Sequence, residues 1–75
     1  MSTSIRNRLQ GTIEKIVSDK VVSEVVIRTA AGSVTSIITT GSANRMNLKE
    51  GDTVFAIIKA TEVSIAKEIV VRFGA

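Results

Sequence analysis

The strongest constraint on the fold of this chain is the β-branched segment Val21–Thr29, whose apolar residues fall at both odd and even positions. Alternation divides them between the two faces of a strand, with Val21, Val25 and Ile27 on one face and Val22 and Val26 on the other. One small flat sheet cannot cover both faces. The segment therefore predicts a sheet that curls into a barrel and packs its outer face against other copies of the chain.

Composition leaves self-association as the means of stabilising so small a domain. The 75 residues allow a single domain, residues 1–75. Such a chain buries only about 60% of the surface that its unfolded form exposes. It has no Cys and no His, which excludes disulfides, Cys/His zinc clusters and Ser–His or Cys–His catalysis. No apolar run reaches the ~18 residues of a membrane span, and Met1–Gln10 lacks a signal-peptide core. We therefore expect a cytoplasmic protein with no membrane partner.

Alternation and turn composition predict five strands and one short helix. A helix of one or two turns is predicted within Thr39–Leu48, where hydroxyl and Gly residues replace the β-branched ones. The predicted fold class is all-β, an OB-like five-stranded β-barrel with this helix between the third and fourth strands, and oligomeric. The predicted strands are Leu9–Val17, Val21–Thr29, Val34–Thr39, Thr53–Lys59 and Val63–Phe73.

Two spots rich in hydrogen-bond donors are candidates for an anion site. Lys59 ends the fourth strand on the same side as Phe55 and Ile57, where its ammonium either extends into solvent or meets an anion. Alternation is taken to direct Phe55 inward. Thr39 and Ser42 lie three residues apart where the helix begins, so they share one side of a helical turn whose free N–H groups favour an anion. The simpler interpretation is an N-cap followed by a solvated Ser.

The N-terminal segment supplies a third such spot. Ser4 and Arg6 fall on one face of an extended chain and offer a hydroxyl and a guanidinium, a combination suited to oxyanions. The alternative is an ordinary solvated tail. Three donor-rich spots with few acceptors in one small barrel favour the anion hypothesis.

Four motifs follow one another along the chain: Ser4–Gly11, Thr35–Thr39, Leu48–Gly51 and Ala56–Val63. In this order and at these spacings they closely resemble the molybdate-binding Mop domain family, which includes the small molbindins, and the resemblance covers Ser2 to Ala66. It implies an OB-like barrel assembled as a hexamer, a trimer of dimers, that binds molybdate or tungstate at subunit interfaces. It also implies that residues 67–75, which continue beyond the shortest family members, form an extra or lengthened strand.

The resemblance also assigns roles to individual residues. One subunit supplies an Arg and Lys set and its partner a Thr and Ser set. Ile5 stands where the family usually has Ala, so its larger side chain could narrow the pocket, and Ile5 and Asn7 are weaker candidates. The molybdate-binding residues implied are Ser4, Arg6, Thr39, Ser42, Lys59 and the backbone of Ala60.

The function that follows is reversible intracellular storage or buffering of molybdate by a homo-oligomer, with molybdate or tungstate as the bound ligand. The alternative is an OB-like or swapped-hairpin nucleic-acid-binding module, which a pI near 9.8 permits. Such surfaces use stacked aromatic side chains, and with Phe55 inward and Phe73 terminal none is expected here. No enzymatic activity is expected, because Glu14, Glu24, Glu62 and Glu68 form no catalytic pair.

Overall fold

The computed structural model describes residues 6–68, which form a four-stranded antiparallel sheet and one short helix. The sheet order is β3-β2-β1-β4. The all-β class and the position of the helix between the third and fourth strands are confirmed. No helix within residues 6–68 has the length and apolar character needed to cross a membrane. The elements are β1 (Arg6–Ser18), β2 (Val22–Thr29), β3 (Gly32–Thr39), α1 (Thr40–Arg45), β4 (Thr53–Lys59) and a 3-10 turn (Ala60–Glu62).

The long strand β1 holds the sheet together by pairing with two strands in succession. Its residues 6–12 pair with β4, and its residues 11–18 pair with β2. A bulge between Ile13 and Lys15 lies within the part that pairs with β2, and a bulge bends a strand and increases its twist. At the bulge the Ile13 N–H donates to the Asp52 carbonyl at 2.9 Å, which ties the loop before β4 to the middle of β1.

The core lies on one face of this sheet, as strand alternation predicts. Val25 and Ile27 of β2 are buried there, while Val22 and Val26 project from the opposite face. Val21 precedes β2 and is exposed. Ile13, Val25, Ile27 and Ala56 form the buried cluster, and Leu9, Ile16, Val34, Ile38, Leu48 and Val54 pack against it.

Gly11 lies where β1 passes between its two partner strands, paired with Val54 on one side and Thr29 on the other. A Cβ at this position would overlap the Arg28 carbonyl oxygen and would lie 2.7 Å from Ile27 Cγ2. Side chains in a close-packed core have little room to move aside, and the backbone carbonyl has less. The close approach of β1 and β2 therefore requires Gly at position 11.

We expect Gly11→Ala to lower the free energy of unfolding by roughly 1–3 kcal/mol, the usual cost of an extra methyl group in a packed site. Denaturant unfolding measures the change. Gly41→Ala is the matched control, because the nearest atom to its new Cβ is Arg45 Nη1 at 3.5 Å, an ordinary contact. Ala also favours a helix by up to about 1 kcal/mol over Gly. Equal stability of the wild type and Gly11→Ala would contradict the packing argument.

The predicted fifth strand, Val63–Phe73, is wrong over residues 63–68. The 3-10 turn follows β4, and the six residues after it are exposed and belong to no strand, with Ile65 95% exposed. The 3-10 turn interrupts the extended chain after β4, and the segment beyond it pairs with neither edge of the sheet within residues 6–68. The rest of the predicted strand, and of the predicted extension 67–75 beyond Glu68, lies outside the described residues.

Residues 6–68 therefore form four of the five strands predicted for the OB-like barrel, and β3 and β4 do not pair with each other. An apolar cavity of about 130 Å³ adjoins the core, with Ser36 and Ile38 of β3 on one side and Val54 of β4 on the other. These strands are the two edges of the sheet.

Candidate functional site

The two predicted cations meet at one end of the sheet. Arg6, the first residue of β1, lies directly opposite Lys59, the last residue of β4, and both are exposed. Opposite residues of an antiparallel pair project from the same face, and like charges placed so destabilise the pair. The one ion pair within residues 6–68 joins Arg28 and Glu14, so no described carboxylate compensates these two cations. An anion bound between the two side chains would compensate their charge.

The neighbours of this pair have different roles. Ala60 follows it directly and begins the 3-10 turn, so its backbone lies beside the cations. The side chain of Asn7 lies on the opposite face of β1, where its Nδ2 donates to the Ile58 carbonyl at 3.3 Å. Asn7 therefore ties β1 to β4. Ser4 and Ile5 lie outside the described residues.

Thr39 and Ser42 also come together, where α1 begins. Thr39 is the N-cap: its Oγ1 accepts from the Ser42 N–H at 3.1 Å and donates to Ser42 Oγ at 2.8 Å. Arg45 Nη2 donates to the same Ser42 Oγ at 3.0 Å. A hydroxyl oxygen has two lone pairs and one hydrogen, so Ser42, accepting twice, keeps its hydrogen to donate outward. The N-cap role of Thr39 thus coexists with a donor role for Ser42.

A hydroxyl network fixes the start of α1 on the turn between β1 and β2. Ser23 is fully buried, and its Oγ bonds to Ser18 Oγ at 2.7 Å and to Thr40 Oγ1 at 2.8 Å. Thr40 Oγ1 also donates to the Asp19 carbonyl at 2.8 Å. Because buried polar groups are costly unless bonded, this network holds the helix in one place.

The side chain of Asp19 closes the same turn. Its Oδ1 accepts from the Val22 N–H at 2.8 Å and from the Val21 N–H at 2.7 Å. Both bonds favour the charged carboxylate, and they lower the pKa of Asp19, with the Val22 bond as the larger cause. The stabilisation of this turn by the Asp19 carboxylate is therefore fully present above the ordinary carboxyl pKa. It is lost only as the pH falls through the lowered pKa.

The two donor clusters lie at opposite ends of β1. Arg6 begins the strand, while Ser18 ends it beside Ser23, whose neighbour Val22 pairs with Thr39. The strand has 13 residues. At about 3.3 Å per residue its length is roughly 40 Å, far more than one tetrahedral oxyanion can bridge. Each chain therefore carries two separate half-sites: a cation half-site, Arg6 and Lys59, and a hydroxyl half-site, Thr39 and Ser42.

Phe55 faces outward, contrary to the prediction. It is 49% exposed, and the guanidinium carbon of Arg8 lies 4.3 Å from its ring centroid. The reason is the register: buried Ala56 lies opposite Leu9 on the core side, so the residues on either side of Ala56 project from the other face. Phe55 and Ile57 together form a cation-side patch next to the cation half-site.

A second apolar patch lies beside the hydroxyl half-site on the same face of the sheet. Val17 and Ile37 both pair with Glu24, and Val22 pairs with Thr39, which places these side chains on one face. Their exposed fractions are 51%, 62% and 42% for Val17, Ile37 and Val22. They form the hydroxyl-side patch.

Sequence reasoning missed Arg45 as a member of the hydroxyl cluster. The available signal was its spacing of three residues from Ser42, which places both side chains on one side of a helix. Within residues 6–68, no group of three His, Cys, Asp or Glu residues is placed to hold a metal cation. The candidate site consists of donors.

The TOBE domain family matches residues 3–65 of the chain, a range that includes both half-sites. Molybdenum-pterin-binding protein 3 of Clostridium pasteurianum is 42% identical over 66 residues, covering 87% of this chain and 97% of that protein. The solved structure of MopII from Clostridium pasteurianum is similar with a TM-score of 0.80 at 37% identity, covering 88% of this chain and 100% of that one. A molybdate binding protein from Sporomusa ovata is similar with a TM-score of 0.81 at 34% identity, covering 89% and 100%.

Proposed function

This chain belongs to the TOBE-domain family and, within it, to the Mop or molbindin proteins, and on that premise we propose that it binds molybdate reversibly between two copies of itself. The family is one of small binding domains and not of enzymes, in agreement with the sequence. The observation that carries the proposal is the division of the donors into two half-sites at opposite ends of β1.

The chemistry of the half-sites suits the ligand. Molybdate at neutral pH is a tetrahedral dianion with four acceptor oxygens and no hydrogen to donate. Arg6 and Lys59 bring two positive charges, and Ser42 brings a hydroxyl whose hydrogen is available. Hydrogen bonds from such donors to an anion are about twice as strong as bonds between neutral groups. The Ser4 hydroxyl and the Ala60 N–H complete the set in this proposal.

The two apolar patches supply a reason for two copies to associate. Each patch lies beside one half-site, on the same face of the sheet. A two-fold axis can place the cation-side patch of each chain on the hydroxyl-side patch of the other. Both patches of both chains are then buried. The same contact brings the cations of each chain to the hydroxyls of its partner. Each pair then has two equivalent anion sites, and three such pairs form the hexamer we propose.

The proposed role is storage or buffering of molybdate in the cytoplasm, as part of molybdenum homeostasis. Sulfate has the same charge and shape but is smaller, so a cavity built for molybdate leaves some donors unpaired around it. Tungstate is close to molybdate in size and charge, and we propose that it binds equally well. Binding across the interface also stabilises the assembly by mass action, which makes the oligomer more stable when loaded.

Calorimetric titration of the purified protein with molybdate, tungstate and sulfate tests the proposal. We expect saturable binding of molybdate and of tungstate at about one anion per chain, since each isologous pair has two sites. Sulfate at equal concentration should give little heat. Native mass spectrometry of the same samples should find an even number of chains. No saturable binding of molybdate, or equal binding of sulfate, would contradict the proposal.

The nucleic-acid alternative has less support. The exposed ring of Phe55 is an isolated aromatic within residues 6–68, and Arg8 already lies over it. Surfaces that bind single strands stack several bases on several rings. A labelled single-stranded oligonucleotide at physiological salt, added to the same preparation, should not bind.

A further inference from the structure

Arg45 ends α1, yet its guanidinium lies over the first turn of this helix. Its Nη2 donates to Ser42 Oγ at 3.0 Å, and its Nη1 is 3.5 Å from the point that a Cβ on Gly41 would occupy. In an α-helix the Cα–Cβ bond tilts toward the N-terminus, which brings a long side chain over the residue three positions earlier. This geometry places the Arg45 guanidinium beside the hydroxyl half-site.

The described partners of Arg45 leave its charge and most of its N–H donors uncompensated. The one ion pair in that range joins Arg28 and Glu14, so no described carboxylate lies within salt-bridge distance of Arg45. Its side-chain hydrogen bond goes to a neutral hydroxyl. A guanidinium has five N–H donors in a planar fork that matches oxyanions, so most of its donors have no described protein acceptor.

We infer that Arg45 is a third cation of the anion site, and this inference rests on the proposed function. Arg45 acts in two ways. Together with the bond from Thr39, its bond to Ser42 Oγ fills both acceptor positions and so directs the Ser42 hydrogen toward the anion. Its remaining N–H groups and its charge face the same anion. Each site then combines Arg6 and Lys59 of one chain with Arg45 and the hydroxyls of its partner.

A third cation has a consequence that a purely structural residue lacks: it distinguishes ligands by charge. Perrhenate is a tetrahedral oxyanion like molybdate but carries a single negative charge. Removing one of three cations weakens the Coulombic attraction of a dianion about twice as much as that of a monoanion at the same place. Loss of a residue that only supports the helix would weaken the binding of both ligands by the same factor.

The test titrates wild type, Arg45→Gln and Arg45→Lys with molybdate and with perrhenate. Arg45→Gln should weaken molybdate binding by roughly 10-fold, the effect of one charge-assisted bond, and should weaken perrhenate binding less. Arg45→Lys should recover part of the loss, because it keeps the charge without the planar fork. Lys49→Gln is the control for net charge, and its affinity should equal that of the wild type. If Arg45→Gln does not fold, Arg45→Met replaces it.

The possible results separate this inference from the proposed function. Unchanged molybdate affinity in Arg45→Gln overturns the role of Arg45 and leaves molybdate binding in place. The inference is also overturned if Arg45→Gln loses affinity for molybdate and for perrhenate by the same factor. It is overturned as well if Lys49→Gln loses as much molybdate affinity as Arg45→Gln does. Absence of molybdate binding by the wild type overturns both. A loss confined to Arg45→Gln, larger for molybdate and partly restored by Arg45→Lys, supports the inference.

Discussion

Lys59→Gln should weaken molybdate binding by roughly 10- to 100-fold, because a hydrogen bond to a charged group contributes about 1.5–3 kcal/mol. The free energy of unfolding should not fall. Lys59 lies opposite Arg6, and removing one of two like charges relieves their repulsion across the strand pair. Calorimetric titration measures the affinity, and denaturant unfolding checks the stability. Lys49→Gln makes the same change in net charge at an exposed turn and should bind as the wild type does.

Mixing two defective variants tests whether the half-sites of one site come from different chains. Lys59→Gln lacks an intact cation half-site, and Ser42→Ala lacks an intact hydroxyl half-site. In a mixed pair, Lys59 of one chain meets Ser42 of the other, so one of the two sites is intact. Refolding the two variants together should restore wild-type affinity at about a quarter of all sites, since about half of randomly formed isologous pairs are mixed.

The same experiment has a clear opposite outcome. If each site were built from one chain, every chain in the mixture would still carry a defect, and no tight binding would return. Refolding each variant alone by the same procedure is the control, and neither variant should regain tight binding of molybdate. Return of tight binding in either control would show that the substitution had not damaged its half-site.

The local elements of this fold could be predicted from the sequence because short-range patterns determine them. The sequence predicts the fourth strand at Thr53–Lys59, and the strand is found there. It predicts a helix within Thr39–Leu48, and the helix forms at Thr40–Arg45. It ends early because Asn47 adopts a positive φ of 53°, which no longer continues a helix. In both places the residues that decide the structure are close neighbours in the sequence.

Features that depend on distant residues could not be predicted in this way. Alternation in β4 gives two faces but does not say which one is buried, and the pairing of Ala56 with Leu9 decides it. Val63–Glu68 has strand-forming residues, yet within residues 6–68 it joins neither edge of the sheet, because propensity alone does not determine which segments pair. The half-sites illustrate both cases. Thr39 and Ser42 come together through local spacing. The meeting of Arg6 with Lys59, and the separation of the two half-sites, follow only from the register of β1 with its two partners.

Ile37→Lys should separate the copies and remove molybdate binding, although Ile37 touches no ligand. Its side chain is 62% exposed in one chain and lies opposite Glu24, so a Lys here gains an acidic neighbour and the chain should still fold. In the proposed pair the new ammonium and Glu24 would both be buried against the partner's cation-side patch, beside another cation, and the cost of desolvating two charges exceeds what their attraction returns.

The measurement combines the oligomer mass from native mass spectrometry with a molybdate titration. We expect a single chain whose affinity is lower by at least about 100-fold, because each isolated chain keeps two half-sites that it cannot join. Ala31→Lys, which adds the same charge at the exposed turn between β2 and β3, should remain assembled and bind normally. A single chain that binds tightly would contradict a shared site, and an intact oligomer would place the interface elsewhere. Loss of both properties in one variant has one physical cause, since the contact that buries the patches also completes the site.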